Sequence, residues 1–531
     1  MPNPFNEKLA KFSVITPVYG KNYQYFPQFF QSLNEQDYKN FEVIVCFDGS
    51  NPYGVRALNK MIKKYPELDI TYQVNKWGGA PVARNHGAEK AKGDYLTFLD
   101  PDIYPYSDSF RFWANSFEEN PNIDVVWGLY EVFENGQKIP IGGGIPCNNK
   151  DEPIYWSLRS SNYISGAFPI RREAFVKWRE GLASLQDWDM WIRMLKKDNF
   201  EGKRFKFYRR NFFLTEPPRK GGLSDDSHKH WIERIKEVKS FNGIPLSKVC
   251  VSSIGAPLHG VNVAKLLDYD YLPMPSYKPH EYEAIYLLGF YCNHPDATKA
   301  HLQVFDSPAK TKRIIHWIGT DIWQLGHAIS VTTWRELKAL WKKKHYIHLT
   351  EVDYTQKEME ELGVKSTIVP LPPSKLYKPM PLLDKFTVGI YENPTQEVYE
   401  EELMEHIARS LPDIDFKLFG DEQKKGKFAN VEHLGWIDYD EWMPKLSMNL
   451  RITKHDGLPL TPIQFLTAGR NVVCNVALKG AIQVKNDRKE IVAAIRKAQK
   501  EPLDPKWSKY WNDELSTDKF KKRIEEVICQ K

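Results

Sequence analysis

The first 100 residues alternate between short apolar runs and segments whose apolar residues have helical spacing. The apolar runs are FSVITPVY, FEVIVCFDGS, ITYQVN and DYLTFLD, and they are separated by YFPQFFQSLNEQ, VRALNKMIKKYP and APVARNHGAEKAKG. Strands rich in Val, Ile, Phe and Tyr that alternate with helices are typical of a doubly wound α/β sheet with mainly parallel strands. Ligands bind beyond the carboxyl ends of such strands, where TPVYG, DGS and DPD lie.

A break in this pattern near residue 245 divides the chain into two predicted domains. FNGIPLSK places Gly and Pro after a long polar helix, and a new strand, turn and helix follow in KVCVSSIGAPLHGVNVAKLL. Further strands are predicted in RIIHWIGTDI, HYIHLTE, STIVPLP, FTVGIY, FKLFGD, VEHLGW, MNLRIT and NVVCN, and the prolines of VPLPPSKLYKPMP indicate a hinge. We predict domains at residues 1–245 and 246–531, the second with lobes at about 246–378 and 379–510 and a returning C-terminal helix.

Composition changes this picture little. A chain of 531 residues is too long for one core, and 42% hydrophobic with 27% charged residues is typical of a soluble globular enzyme rather than a disordered chain. The net charge of +6 permits anionic partners such as nucleotide sugars, lipid phosphates or nucleic acid, but it requires none of them.

Cysteine usage and the absence of long apolar runs predict the compartment. Six cysteines are scattered without CxxC spacing, which argues against a zinc site or a disulfide framework and favours a reducing cytoplasm. The N-terminus lacks the basic-then-apolar layout of a signal peptide, and no run of about 18 apolar residues occurs. We therefore expect a cytoplasmic protein. The lysines at 342–344 allow peripheral contact with an anionic membrane, although a solvated helix face explains them more simply.

Two carboxylates, Asp100 and Asp102, flank a proline directly after the apolar run YLTFL. Paired acids at a strand end suit Mg²⁺ or Mn²⁺ shared with phosphate oxygens, because such a cation keeps few protein ligands. Two solvated acids in a proline turn explain the same residues, so this motif alone does not decide the function.

Four segments together are more specific. In order and spacing, FSVITPVYGKN, VCFDGSN, ARNHGAEKAKGDYLTFLDPD and SLQDWDMWIRML resemble the motifs of inverting family 2 glycosyltransferases of the GT-A fold, over roughly residues 10 to 240. The resemblance implies metal-dependent transfer from a nucleotide-sugar donor, with UDP as the expected nucleotide. It implies donor-binding residues in the nucleotide pocket (Thr16, Pro17, Tyr19), at the uracil edge (Asp48), near the phosphates (Arg84) and at the metal–diphosphate (Asp100, Asp102).

The same resemblance makes Asp187 of QDWDMW the catalytic base. Inversion requires a carboxylate that takes the proton of the acceptor hydroxyl while its oxygen attacks opposite the leaving nucleotide. Two departures occur, since Phe47 stands where the usual double acid begins and Gln186 stands where Glu is common. For Asp189 we expect a structural role in capping or orienting the helix. Farther along, His228 lies in the basic loop PPRKGGLSDDSHKHW and is a candidate phosphate or metal contact, or a solvated histidine.

The second half resembles family 4 glycosyltransferases of the GT-B fold, over about 247 to 525. The resemblance rests on HWIGTDIW, ELGVKSTIVPLP, FKLFGD and KLSMNLRITKHDGLPLTPIQFLTAGRNVVCN. It implies that Asp456 lies beside the sugar and that Gln464 replaces the glutamate that usually holds the ribose. Three residues before this element, Arg451, Thr453 and His455, are then expected to face the donor phosphates and sugar. The basic residues that usually follow the first strand of this lobe are missing from FTVGIYENPTQEVYEEE.

These observations predict a two-module glycosyltransferase, with a metal-dependent inverting GT-A unit followed by a retaining GT-B unit. The expected acceptor is a glycan, a lipid-linked sugar or another glycoconjugate. One alternative keeps the first module active and makes the second a non-catalytic binding or scaffolding unit. Another is a viral-type transferase that glycosylates modified DNA bases, but no compact Arg–Lys stripe with interleaved aromatics supports a nucleic-acid partner.

Overall fold

The computed structural model describes residues 11–134, 137–141, 145, 153–217, 230–253, 257–272, 282–290, 311–328, 331–343, 346–391, 401–420 and 428–529. The chain divides into two compact units, Met1–Leu246 and Ser247–Lys531. Among the described residues, no helix combines the length and the apolar character that crossing a membrane requires.

Within its described residues the first unit forms a nine-stranded mixed sheet. The strands are β1 Phe12–Val18, β2 Phe41–Asp48, β3 Asp69–Asn75, β4 Tyr95–Phe98, β5 Ile103–Pro105, β6 Val125–Glu134, β7 Gln137–Ile141, β8 Ile170–Arg171 and β9 Phe205–Thr215. The order is β3-β2-β1-β4-β8-β6-β9-β5, with β7 beside β6. Strands β3, β2, β1 and β4 are parallel, whereas β8 is antiparallel to β4 and β6. The predicted α/β fold with a Rossmann-like mixed sheet is confirmed in this unit.

Six described helices accompany this sheet. They are α1 Phe26–Asn34, α2 Pro52–Lys64, α3 Ala80–Lys90, α4 Ser109–Glu119, α5 Gln186–Leu195 and α6 Trp231–Phe241. Helix α1 shows why the sequence folds this way, because Phe26, Phe29, Phe30 and Leu33 form one buried stripe at helical spacing. Helix α3 lies directly against β1. A Cβ at Gly87 would come within 2.4 Å of the Ile15 side chain, so this glycine permits the close packing that positions the residues of α3.

The second unit contains two parallel six-stranded sheets within its described residues. The strands of the first are β10 Val249–Ser252, β11 Asp270–Tyr271, β12 Ala284–Leu288, β13 Lys312–His316, β14 Tyr346–Thr350 and β15 Thr367–Ile368, in the order β11-β10-β12-β13-β14-β15. Those of the second are β16 Thr387–Tyr391, β17 Asp415–Phe419, β18 Val431–Gly435, β19 Met448–Arg451, β20 Asn471–Cys474 and β21 Ile482–Gln483, in the order β18-β17-β16-β19-β20-β21. Central strands such as β12 and β19 are buried at every residue, as expected for parallel sheets covered on both faces.

Ten described helices belong to the second unit. They are α7 Pro257–Leu267, α8 Thr320–Ala328, α9 Val331–Lys343, α10 Asp353–Glu361, α11 Glu401–Ser410, α12 Tyr439–Trp442, α13 Leu460–Thr467, α14 Arg488–Lys500, α15 Pro505–Glu514 and α16 Thr517–Cys529. The C-terminal helix α16 contacts the first of the two sheets, because Lys312 Nζ at the start of β13 donates to the carbonyl of Ile528.

A contact between two glycines joins the two sheets of this unit. Gly319, between β13 and α8, has φ +98°, and a Cβ added there would lie 2.1 Å from the backbone nitrogen of Gly457. Glu351 reinforces the contact, since its Oε2 accepts a hydrogen bond of 2.9 Å from the Leu458 N–H. The loop of residues 454–458 is therefore seated against the strand ends of the other sheet.

Replacing Gly319 with alanine is expected to destabilise the second unit by several kcal/mol. The substitution adds overpacking, which costs about 1–3 kcal/mol, to the strain of a left-handed backbone, which costs about 1–2 kcal/mol. Gly363→Ala is the matched control, because Gly363 has φ +73° but only the flexible Lys338 ammonium near its added Cβ, at 3.4 Å. Thermal unfolding of both variants measures the difference, and equal losses of stability would show that the contact with Gly457 costs nothing.

Candidate active site

The predicted donor-binding residues of the first unit gather at one edge of its sheet. Val18 of β1 pairs with Phe47 of β2, and Ile15 of β1 pairs with Phe98 of β4, so the residues that follow these strands are neighbours. Thr16 is fully buried, and its Oγ1 has no hydrogen-bond partner among the described groups. The structure thus places Thr16, Pro17, Tyr19, Asp48 and Asp100 at the carboxyl ends of β1, β2 and β4.

Asp48 fixes the loop that leads into α3. Its Oδ1 accepts from the Gly78 N–H at 2.8 Å and its Oδ2 accepts from the Gly79 N–H at 2.9 Å. Trp77, the residue before Gly78, is 74% exposed, and its ring lies against Gly49. The single acid of this motif therefore sets the entry of helix α3 while it lies at the predicted nucleotide edge.

Arg84 connects two parts of the site. This residue of α3 is buried, its Nη2 donates to both carboxylate oxygens of Asp100 at 2.9 and 3.2 Å, and its Nη1 donates to Gln186 Oε1 at 2.9 Å. The guanidinium lies 4.6 Å from the ring centre of Trp178, a cation–π contact. Asn85 holds that tryptophan in place through hydrogen bonds to both its backbone N–H and its carbonyl.

The second acid of the DPD motif lies beside β9. The carbonyl of Asp102 accepts from the Glu216 N–H at 3.0 Å, and Tyr104 donates its hydroxyl to Glu216 Oε1 at 3.1 Å. Burial raises the pKa of Tyr104, and the charges of Glu216 and Asp102 raise it further. Among the described residues, no group of three or more His, Cys, Asp or Glu side chains is arranged to hold a metal ion. The predicted contact His228 lies outside the described residues.

Asp187 lies in the first turn of α5, and this helix begins directly after a strained residue. Leu185 has φ 57°, a left-handed conformation that is costly for a residue with a branched side chain, and such strain is often found at functional sites. The turn of residues 163–169 packs closely here, because a Cβ at Gly166 would lie 3.1 Å from the Asp187 Cβ. Asp187 Oδ1 accepts from the Trp188 N–H at 2.9 Å.

The surroundings of Asp187 raise the pKa of its carboxyl. Burial raises the pKa of this carboxyl, although hydrogen bonds from the Trp188 backbone and the Asn162 side chain and the charge of Arg84 each oppose the rise. A carboxyl whose pKa is raised beside a basic side chain such as Arg84 is a candidate for proton transfer.

The neighbouring residues of α5 are structural. Asp189 is fully buried and its oxygens accept from Arg179, Arg193 and Asn242, all at 2.8 to 2.9 Å. It lies inside the helix rather than at its cap, so it orients α5 through ion pairs. Trp188 is also fully buried, and its indole N–H donates to the Leu158 carbonyl. This tryptophan therefore packs in the core.

In the second unit, four predicted residues lie in or beside one loop. Arg451 ends β19, and its Nε donates to Asp456 Oδ2 at 2.8 Å, with both side chains largely buried. The Nε2 of His455 lies 3.0 Å from both oxygens of Glu358, and its Nδ1 is buried without a partner among the described groups. Thr453 Oγ1 is likewise buried without a partner. Gln464 lies on α13 and donates to the Lys375 carbonyl at 3.4 Å.

Two further acids lie at the strand ends of the first sheet in this unit. Asp321 accepts from the N–H groups of Phe290, Ile318 and Ile322, a structural role that includes stabilisation of the α8 N-terminus. Burial raises the pKa of Asp321 to about 6. Burial also raises the pKa of Glu351 well above its ordinary value, and the charges of Asp321 and Asp456 add to this rise.

Gln186 and Glu351 were not among the predicted site residues. Gln186 had a visible signal, since it is a polar residue between apolar Leu185 and the predicted base, but its partner Arg84 is 102 residues away. Glu351 ends the predicted strand HYIHLTE in the same way that Asp100 ends DYLTFLD. The rule that identified the DPD motif therefore also points to Glu351.

Comparison with known protein families finds a match within the first unit. Residues 13–179 match the model of the glycosyl transferase family 2. This segment includes the Asp48 loop, Arg84 and the DPD motif, and it ends shortly before Asp187. The N-terminal part of the chain therefore contains a family 2 glycosyltransferase domain, and the protein is a glycosyltransferase.

Individual relatives are similar to part of the chain. An uncharacterized glycosyltransferase of Haemophilus influenzae is 26% identical over 247 residues, which are 43% of this chain and 80% of the relative. The poly(ribitol-phosphate) beta-glucosyltransferase of Bacillus spizizenii is 30% identical over 132 residues, 24% of this chain and 20% of the relative. Among solved structures, S. aureus TarS 1-349 in complex with UDP-GlcNAc has 20% identity and a TM-score of 0.34, covering 43% of this chain and 66% of that chain.

Proposed function

We propose that the first unit transfers a sugar, with inversion, from a UDP-linked donor to a hydroxyl group of a glycan or glycoconjugate. The observation that carries this proposal is the chain of hydrogen bonds from Asp100 through Arg84 to Gln186, which joins the DPD motif to the start of α5. Asp187, the next residue, is thereby held beside the groups that suit a diphosphate. The family 2 match over residues 13–179 supports the same reaction.

In this reaction the acceptor oxygen attacks the anomeric carbon and the bond from that carbon to the diphosphate oxygen breaks. Asp187 accepts the proton of the acceptor hydroxyl as the new glycosidic bond forms, and the nucleoside diphosphate leaves on the opposite face. Arg84 faces the negative charge that develops on the leaving group, since its guanidinium already binds a carboxylate at this place. Asp48 and the exposed Trp77 flank the position expected for the nucleotide base.

We propose that Asp100 and Asp102 would hold a divalent cation. Asp100 and Asp102 supply carboxylate oxygens, which Mg²⁺ and Mn²⁺ prefer, and the Asp100 side chain is 30% exposed and so accessible from solvent. When bound there, such a cation would neutralise part of the charge of the diphosphate.

The acceptor class follows from the relatives only as a proposal. The Bacillus relative is named for glucosyl transfer to poly(ribitol phosphate), and TarS was solved with UDP-GlcNAc. We extend this to the present chain as a UDP-sugar donor and a surface-polysaccharide acceptor. Lipid-linked acceptors and peripheral membrane contact stay predictions.

For the second unit we propose a GT-B-like transferase module with its donor site at Arg451, Thr453, His455, Asp456 and Gln464. Two parallel sheets and buried polar atoms without partners at Thr453 and His455 support a binding site at the end of β19. One observation favours the alternative, a non-catalytic scaffold. Asp456 is already paired with Arg451, and its neighbour Gly457 touches Gly319 of the other sheet.

Asp456→Ala separates these alternatives. If the second unit is a transferase, the variant loses its UDP-sugar turnover by about tenfold or more, because a sugar-contacting carboxylate and the orientation of Arg451 are both lost. Assays in an Asp187→Asn background remove the contribution of the first unit. Unchanged turnover in that background would reject the placement of Asp456 at the sugar, and the absence of any turnover before the substitution would favour the scaffold.

The proposed function is tested by hydrolysis of a panel of nucleotide sugars by the full chain, with and without Mn²⁺. We expect release of UDP from at least one UDP-sugar and a higher rate with the metal. Binding of UDP measured by calorimetry gives an independent readout. A chain that neither binds UDP nor hydrolyses any UDP-sugar, with or without metal, contradicts the proposal for both units.

Transfer by the first unit is expected to decrease at acidic pH with a midpoint above the ordinary aspartate pKa of about 3.9. The base acts in its ionised form, and burial raises the pKa of Asp187, so protonation removes the active form at a higher pH than usual. The pH dependence of turnover at saturating donor measures this midpoint. A profile that stays flat down to pH 4 would show that Asp187 does not limit the rate as a base.

A further inference from the structure

Resting on the proposed function, we infer that Gln186 is a positioning residue that holds Arg84 in place, so that the donor-binding cation and the helix of the base are oriented together. Gln186 is the first residue of α5 and Asp187 is the second. The inference concerns the orientation of Arg84 and assigns Gln186 no contact with the reacting atoms.

The amide of Gln186 has one orientation that satisfies its neighbours. This side chain is 6% exposed, and its Oε1 accepts from Arg84 Nη1 at 2.9 Å. Its Nε2 donates to the Leu182 carbonyl at 3.0 Å and lies 3.4 Å from the Ala183 carbonyl. A flipped amide would direct its N–H groups at the guanidinium and its oxygen at two carbonyls, so the hydrogen-bond network fixes the oxygen toward Arg84.

Arg84 is fixed from three sides. Gln186 holds Nη1, Asp100 holds Nη2, and the Trp178 ring lies under the guanidinium plane. Its Nε is buried and has no hydrogen-bond partner among the described groups. Three elements, the end of β4, α3 and α5, are thereby joined through one side chain.

A neutral amide suits this position better than a carboxylate. A glutamate at 186 would have no N–H to donate to the carbonyls of Leu182 and Ala183, and it would compete with Asp100 for the charge of Arg84. With glutamine at this position, Asp100 is the acid that forms the described ion pair with Arg84. The departure from the common Glu-Asp pair therefore leaves more of the positive charge of Arg84 for an anionic ligand.

A double-mutant cycle tests the inference in the full chain. Gln186→Met is expected to weaken UDP binding by about 10- to 100-fold, the range of a hydrogen bond to a charged group. In an Arg84→Lys background the same substitution is expected to cost no more than about twofold, because a residue that acts through Arg84 shows non-additive effects. Equal losses in both backgrounds, or no loss in either, would overturn the inference.

Two further measurements keep the test decisive. Gln36→Met is the matched control, since Gln36 is also a buried amide of the same unit and donates to the carbonyls of Ser32, Pro105 and Tyr106. The change in UDP affinity caused by Gln36→Met is expected to be equal in both backgrounds. If Gln186→Met does not fold, Gln186→Asn replaces it, because the shorter amide cannot reach Arg84.

A crystal structure of the Gln186 variant separates this inference from the proposed function. We expect the Arg84 guanidinium to leave Asp100 in the variant. An Arg84 that stays on Asp100 without Gln186 contradicts the inference whatever UDP does. A wild-type protein that binds no UDP contradicts the proposed function instead, and the displacement of Arg84 still reports on Gln186.

Discussion

Asp187→Asn is expected to reduce turnover by the first unit by about 10²- to 10⁴-fold, the usual contribution of a general base. UDP binding is expected to stay within about twofold, because asparagine keeps the size of the side chain and an oxygen that accepts from the Trp188 N–H. Single-turnover transfer or donor hydrolysis measures the rate, and calorimetry measures the binding. Turnover within tenfold of the wild type would remove Asp187 from the role of base.

The stability of this variant has a defined sign. Burial raises the pKa of Asp187, so ionisation of this carboxyl costs free energy in the folded state that the unfolded chain does not incur. This cost appears as the pH rises through the raised pKa. Because asparagine has no charge to bury, the variant is expected to be at least as stable as the wild type at neutral pH.

Asp189→Asn is the matched control on the same helix. Asp189 is two residues away and fully buried, with ion pairs to Arg179 and Arg193. Removing one partner of a buried pair costs about 3–5 kcal/mol, so this variant is expected to melt at a lower temperature. Comparison of the two variants therefore separates a loss of turnover from a loss of stability.

Replacing both Asp100 and Asp102 with alanine is expected to abolish metal-dependent binding of UDP by the first unit. Both carboxylates that would hold the cation are lost, and Arg84 loses its ion pair with Asp100. Calorimetry with UDP in the presence and absence of Mn²⁺ measures the effect, and titration with Mn²⁺ alone gives a readout that does not depend on turnover. Metal-dependent UDP binding that survives in the double variant would show that the cation is held elsewhere.

Single variants separate the two effects of this change. Asp100→Asn disturbs Arg84 as well as the metal, because Arg84 donates to both Asp100 oxygens. Comparison with Asp102→Asn shows whether each carboxylate is needed for the metal dependence. Asp108→Ala serves as a surface control, because this exposed acid pairs with Arg210 away from the DPD motif.

The sequence predicted the edge of the first sheet well because that prediction needed only local patterns. Apolar runs end at Val18, Asp48 and Phe98, and parallel strands bring such ends together. Thr16, Asp48 and Asp100 could therefore be assigned to one edge before any coordinates. The family 2 resemblance of this half is confirmed over residues 13–179, whereas the GT-B assignment of the second half stays a prediction.

The partners of these residues could not be predicted in the same way. Arg84 and Gln186 meet only because α3 packs on β1 at Gly87 and because the left-handed Leu185 directs the start of α5. Both conditions are tertiary, and neither leaves a periodic signal. The hydrogen bonds of Asp48 to the Gly78 and Gly79 N–H groups could not be predicted for the same reason.

The seating of residues 454–458 also determines how the second unit loses its structure. Glu351, which follows β14, accepts from the Leu458 N–H, and Tyr354 and Glu358 of helix α10 contact Gly457 and His455. Elements next to the first sheet thus contribute three partners to a loop next to the second. If either sheet unfolds, these groups lose their hydrogen-bond partners, and the other sheet loses the contacts made by this loop. We therefore expect the two sheets of this unit to unfold together in one cooperative transition, so that a substitution that destabilises one sheet also destabilises the other.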